Sequence, residues 1–140
     1  MKLVLDTNVL VAAYRSRRGA SNALLRNAFE RRITPLCSTA LFLEYEAVLS
    51  RPKTREATGH SLEDVRTIMD AFAAIAEAVE LSFRMRPMLK DSDDEMVLEA
   101  VLNGGGKTIV THNVRDFEPA SRLGIEVVQP GEILRRFNHD

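Results

Sequence analysis

The sequence predicts an α/β fold: a three-layer α/β/α sandwich around a parallel sheet of about five strands. Two observations carry the expectation. Short apolar runs (Leu3–Leu5, Ile33–Cys37, Thr108–Val110, Ile125–Val128) alternate with longer stretches whose apolar residues recur at three- and four-residue spacing. The first run also ends on a carboxylate, Asp6, before Thr7-Asn8. Open α/β sheets place their chemistry outside the carboxyl ends of their strands.

A chain of 140 residues can bury one ordinary core, and residues 1–140 read as a single domain without internal repeat, low-complexity tract or linker. The formal net charge of −1 excludes a global basic field, so a polyanion would have to be held by a local arginine or lysine patch or by bound metal. The single Cys37 has no internal disulfide partner, which fits a reducing cytoplasm, and its apolar setting marks it as a small buried residue. Asp6 interrupts the early apolar run, so no signal peptide is expected. No stretch approaches membrane-spanning length, and the chain reads as cytoplasmic with no membrane partner.

Lys2–Leu5 is the first strand. From Asn8 the residues Val9, Leu10, Ala12 and Ala13 suit a helix, whose basic end is Arg15–Arg18 before Gly19. Ser21 opens a second helix with Leu24, Leu25, Ala28 and Phe29 on one face. Ile33–Cys37 is the second strand, where Pro35 suggests an edge or a bulge. Ser38 or Thr39 can cap the third helix, which carries Leu41, Phe42, Tyr45, Val48 and Leu49 inward and Glu44 in its second turn. Arg51–His60 is polar and reads as a connecting segment.

Ser61-Leu62-Glu63-Asp64 resembles a capping box with Asp in place of Glu. The helix it opens carries a stripe of Leu62, Val65, Ile68, Met69, Phe72, Ile75, Ala76 and Val79. Val79–Phe83 is either a strand or the end of that helix, and Arg84–Leu89 is irregular. The acidic run Asp91-Ser92-Asp93-Asp94-Glu95 begins a helix that carries Met96, Val97, Ala100 and Val101 and is stopped by Gly104-Gly105-Gly106. Thr108–Val110 is a strand ending on Thr111, His112–Phe117 a loop, Ile125–Val128 a last strand, and Pro130-Gly131-Glu132 the start of a terminal helix through Phe137.

Four acids fall where this architecture puts chemistry: Asp6, Glu44, Asp94 and Asp116. Carboxylates packed together raise each other's pKa, a cost that a divalent cation removes. Oxygen donors suit a hard ion, Mg²⁺ or Mn²⁺, and such a site can activate water against a phosphodiester. The three histidines, His60, His112 and His139, lack the spacing of a zinc set. Each acid also has a plainer explanation. Asp6 can cap the following helix, Glu44 can be a solvated helix residue as Glu46 is, Asp91 to Glu95 can cap a helix and complement its dipole, and Asp116 can cap the turn before Phe117.

Four segments resemble a PIN-domain nuclease, specifically the VapC-like toxin components of toxin–antitoxin pairs: Leu3–Ala13 (LVLDTNVLVAA), Ser38–Lys53, Asp91–Gly105 and Lys107–Phe117 (KTIVTHNVRDF). They stand in the family's order and, with the helices between them, cover nearly the whole chain. The resemblance implies a parallel α/β sandwich, a Mg²⁺/Mn²⁺ carboxylate site and cleavage of RNA. Asp6, Glu44 and Asp94 match its three most regular acids, Asn8 its asparagine that orients the first Asp, and Thr111 its hydroxyl after the fourth strand. Many members carry Asp where Asn113 stands here. Asp116, three residues on, is the nearest carboxylate and the expected fourth ligand, with Asn113 as its polar neighbour. Asp91 and Asp93 are expected to cap or support. Arg15, Arg17, Arg18 and Arg115 are the candidate RNA contacts, against the plainer reading of a solvated helix end.

The resemblance further implies a small antitoxin and a homodimer, with Ser21–Arg32 and Leu41–Arg51 as candidate surfaces. Three other classes compete, of which a receiver-type signalling domain lacks the acid pair it needs near the first strand and the phosphorylatable Asp at a middle strand end. A metal-dependent phosphatase also begins with a strand ending in Asp, but usually places a second Asp two residues later, where Asn8 stands. A catalytically silent RNA- or protein-binding module of the same fold would have lost its metal site.

Overall fold

The computed structural model describes residues 1–82 and 89–138. Strands β1 (Lys2–Leu5), β2 (Thr34–Ser38), β3 (Glu77–Val79), β4 (Thr108–Val110) and β5 (Glu126–Val128) form one sheet in the order β3-β2-β1-β4-β5. Every pairing is parallel, and the sheet is the middle layer of the expected α/β/α sandwich. Strand β1 is central, and Leu3, Val4 and Leu5 are all buried, as a strand covered on both faces requires.

The chain builds outward from β1 to β2 and β3, then returns to the other side for β4 and β5. The direction of winding reverses between β1 and β4, which opens a crevice beyond their carboxyl ends. Leu5 pairs with Val110, and the Asp6 N–H donates to the Val110 carbonyl at 2.9 Å. Asp6 and Thr111, the residues that follow the two strands, therefore stand side by side at this reversal.

Among the described residues, eight helices surround the sheet: α1 (Thr7–Arg15), α2 (Ala20–Phe29), α3 (Thr39–Ser50), α4 (Pro52–Thr58), α5 (Leu62–Ile75), α6 (Ser92–Asn103), α7 (Glu118–Ser121) and α8 (Pro130–Asn138). Ser38 caps α3 by accepting from the Leu41 N–H at 3.1 Å, and Leu41, Tyr45 and Leu49 face the core. The capping box of α5 forms in both directions: Ser61 Oγ accepts from the Asp64 N–H at 3.0 Å, and Asp64 Oδ2 from the Ser61 N–H at 2.9 Å. Cys37 is buried and free. None of the described helices is long and apolar enough to cross a membrane.

Several local expectations are corrected. The segment Arg51–His60 is not a plain connector but contains α4, with Pro52 in its first turn and Gly59 closing it in the left-handed region at φ 78°. Pro at a helix start and Gly just past the end are the usual asymmetric pair, and their polar company masked them. Pro35 does not mark an edge, since β2 lies between β1 and β3. The Thr34 N–H donates to the Met1 carbonyl, so the nitrogen of Pro35 faces the opposite side, where β3 pairs only from Leu36 onward.

The second helix opens at Ala20, with Gly19 as its N-cap, and Ser21 lies buried inside its first turn. Leu62 and Phe29 face solvent instead of the core (59% and 37% exposed). The loop after β4 holds a 3₁₀ turn over Val114–Phe117. Val79 belongs to β3 and not to the helical stripe. The readings for Phe83, for Arg84–Met88 and for His139 lie outside the described residues.

Candidate metal-dependent active site

Asp6 is the most constrained acid. Its backbone begins α1 as the N-cap, and its Oδ1 accepts from the Thr7 N–H at 2.8 Å. Its Oδ2 accepts from Thr111 Oγ1 at 2.7 Å. The capping expectation and the rim-carboxylate expectation thus hold together, because each uses a different oxygen. Thr111 is fully buried and its Oγ1 is a junction: it also accepts from the Asn113 N–H at 3.0 Å and from Asn8 Nδ2 at 3.5 Å. Asn8 Oδ1 in turn accepts from the His112 N–H at 3.3 Å. Asn8 therefore reaches Asp6 through Thr111 and not directly.

Asp94 lies in the first turn of α6, and Asp91 caps that helix by accepting from the Asp93 N–H at 2.9 Å. Asp116 is exposed on the 3₁₀ turn after β4, where no side chain caps the turn. Glu44 is half-buried on α3, while Glu46 beside it is exposed. Asp6, Glu44, Asp94 and Asp116, with Asp91 and Asp93, line one open cavity of about 490 Å³ at the reversal point of the sheet. Asn8 and Asn113 line it too.

The electrostatics of these acids agree with their placement. Burial pushes the Asp94 carboxyl up to about 7, helped by the charges of Asp6, Asp91, Asp116 and Asp93. Burial also raises Asp6; the hydrogen bonds from Thr111 and Thr7 oppose the rise, and the charges of Asp116 and Asp91 add to it. Glu44 is raised by burial and then by Asp93, while Arg51 pulls it down and Asp91 adds a smaller push. The charges of Asp6 and Asp116 thus act on Asp94 and that of Asp116 on Asp6, whereas those of Asp93 and Asp91 act on Glu44.

As the side chains stand, no three His, Cys, Asp or Glu groups among the described residues converge closely enough to clamp a metal ion. The donor chemistry nevertheless fits a hard cation. All six acids are oxygen donors, three of them (Asp6, Glu44 and Asp94) are raised by their neighbours' charges as well as by burial, and only Arg15 and Arg51 bring positive charge into the same cavity.

Of the four arginines expected at RNA, Arg15 lines this cavity, and Arg115 lines two neighbouring ones. Arg17 and Arg18 are exposed but line none of the three. The sequence reading missed Arg51 and His112. Arg51 stands seven residues after Glu44, two helical turns along the same face, and that spacing could have revealed it. His112 is held by Ser21, with Oγ and Nε2 2.7 Å apart, a contact between distant segments that no local pattern announces.

The acids stand together at the reversal of a parallel sheet, and residues 2–115 match the PIN domain family. The chain belongs to that family, a class of nucleases. It is also similar to a chain in the crystal structure of VapBC2 from Rickettsia felis bound to a DNA fragment from their promoter. That match covers 91% of this chain and 97% of the other, with a TM-score of 0.61 and 18% sequence identity. At that identity the likeness is one of fold. No curated protein matches the chain.

Proposed function

We propose that this protein is a divalent-metal-dependent endoribonuclease that hydrolyses phosphodiester bonds of single-stranded or structured RNA, and that it is the toxin of a toxin–antitoxin pair. The observation that carries the reading is the convergence of Asp6, Asp94 and Asp116 on one cavity, where burial and the charges of Asp6, Asp91, Asp116 and Asp93 push Asp94 up to about 7. Six carboxylates against two arginines would repel a phosphodiester, so the cavity admits that substrate only with added positive charge.

In this reading Asp6, Glu44, Asp94 and Asp116 hold Mg²⁺ or Mn²⁺. When bound, such an ion neutralises the carboxylates, activates water and stabilises charge developing on the phosphodiester. Thr111 and the Thr7 N–H fix both oxygens of Asp6, so its remaining lone pairs are aimed before any ligand arrives. Asp91 and Asp93 set the start of α6, on which Asp94 rides. Arg15 and Arg115 receive phosphates of the strand.

The likeness in fold to a VapBC2 chain supports a small antitoxin as partner, one that covers the acids. A homodimer is the further partner proposed. Phe29 on α2 and Leu43 on α3, both exposed, lend apolar area to the two helices expected to meet a partner. The site of action is the cytoplasm.

Cleavage of a mixed panel of single-stranded RNAs tests the reading, with wild type beside Asp6→Asn and Asp94→Asn, in Mg²⁺ or Mn²⁺ and with an EDTA control. Metal-dependent cutting that disappears in both variants supports it. No cutting, together with no Mn²⁺-induced rise in melting temperature, leaves the catalytically silent module in its place.

A further inference from the structure

Three of the acids are shared between two cavities. Asp91, Asp94 and Asp116 line the cavity of about 490 Å³ that holds Asp6 and Glu44, and they also line a second of about 500 Å³. Away from the shared acids each cavity has its own cations. Arg15 and Arg51 wall the first, and Lys90, Arg115 and Arg122 wall the second, where Glu118 also stands. All five cations are exposed, and none is held in an ion pair among the described residues.

Cations on one side of an acid group suffice to hold a chain end or a mononucleotide. Cations on both sides fit a polyanion that continues past the acids in both directions. Resting on the nuclease reading, we infer that a single-stranded RNA runs from one cavity into the other across Asp94 and Asp116, so that phosphates on one flank of the reacting bond lie on Arg15 and Arg51 and those on the other flank on Lys90, Arg115 and Arg122. Guanidinium groups suit this task because their planar fork takes two phosphate oxygens at once. A strand gripped on both flanks is cut at internal bonds. The path also accounts for a chain of nearly zero net charge handling nucleic acid: its cations stand at the two mouths of an acidic site and do not form a general basic face.

The test is a salt titration of binding at fixed Ca²⁺, which supplies the positive charge the acids require, read by fluorescence anisotropy with labelled single-stranded RNAs of about 12 and about 4 nucleotides. Wild type is compared with Arg51→Ala, with the pair Lys90→Ala and Arg122→Ala, and with all three together, each checked for folding by circular dichroism. Wild type should bind the longer strand more tightly than the shorter. Each set should weaken binding of the longer strand several-fold and flatten the plot of log affinity against log salt by about 0.7 for each phosphate no longer neutralised, with the effects adding in the triple variant. If Lys90→Ala with Arg122→Ala binds the longer strand as wild type does, with the same salt slope, the two-sided path is overturned while the nuclease reading stands. If wild type binds neither length, both are overturned.

Discussion

The phenol of Tyr45 donates a hydrogen bond to the backbone carbonyl of Leu5. Leu5 is the last residue of β1, immediately before Asp6, and Tyr45 follows Glu44 on α3. The bond therefore ties the strand end that presents one acid to the helix that presents another. Tyr45 is fully buried and meets Phe72 of α5 edge-on, with ring centroids 5.5 Å apart. Tyr45→Phe keeps the ring contact and removes the donor. A buried carbonyl left without its partner costs about 1–3 kcal/mol, read as a fall in melting temperature of about 2–4 °C per kcal/mol in a chain of this size. An unchanged melting temperature would show that the bond adds nothing to the joint.

Thr111 offers a sharper test of how the site is aimed. Its hydroxyl donates to Asp6 and accepts from the Asn113 N–H and Asn8 Nδ2. Thr111→Val fills nearly the same volume but breaks all three hydrogen bonds. Groups that orient a metal-binding carboxylate from behind are worth about ten- to a hundredfold in activity or metal affinity. Thr111→Val should lose that much in RNA cleavage and in Mn²⁺ affinity, and Thr111→Ser should recover most of it. A valine variant as active as wild type would mean that the Thr7 N–H alone positions Asp6.

Gly106 lies between α6 and β4 and is fitted against β2. A Cβ there would come within 2.6 Å of Leu36 Cδ1, and Leu36 is fully buried. Overpacking of a filled core costs about 1–3 kcal/mol, so Gly106→Ala should lower the urea midpoint by that equivalent. The contrast is with Gly59→Ala, where no atom lies within 4 Å but φ is 78°; the loss there comes from the backbone and is about 1 kcal/mol. Equal midpoints for wild type and Gly106→Ala would show that Leu36 moves aside freely.

What the sequence made legible follows from how local each signal is. The strand end at Asp6 could be read because a buried run that stops on a carboxylate is a pattern of six residues. The capping box at Ser61 could be read because its two hydrogen bonds span three residues. Helix α4 escaped because seven residues with no buried side chain carry no apolar period to detect. Pro35 misled because its missing N–H harms only the side it faces, and that side depends on where β3 begins. Arg51, Lys90 and Arg122 were not legible as a set. They are neighbours of one acidic group only after three separate elements have packed, and a charged residue on an exposed helix end looks the same with or without a task.

Asp94 makes the stability of the fold depend on pH in a direction opposite to that of most surface carboxylates. Its pKa is raised from 3.8 to about 7 in the folded chain, first by burial and then by Asp6, Asp91, Asp116 and Asp93. The folded state therefore binds this proton more tightly than the unfolded chain does. The resulting stability is fully present below the unfolded value of 3.8 and is lost progressively as pH rises to about 7. Asp6 shifts in the same direction. Asp94→Asn removes the titrating charge, so in EDTA it should melt above wild type near neutrality and lose that advantage as the pH falls toward 4. Because Asp94 is only partly buried, solvent screening holds the gain to about 1 kcal/mol, or roughly 2–4 °C. Melting curves of the two proteins across that range decide it. An advantage for Asp94→Asn that is the same at every pH would come from packing and not from charge, and a variant that melts lower throughout would mean that Asp94 stabilises the start of α6 more than its neighbours' charges oppose it.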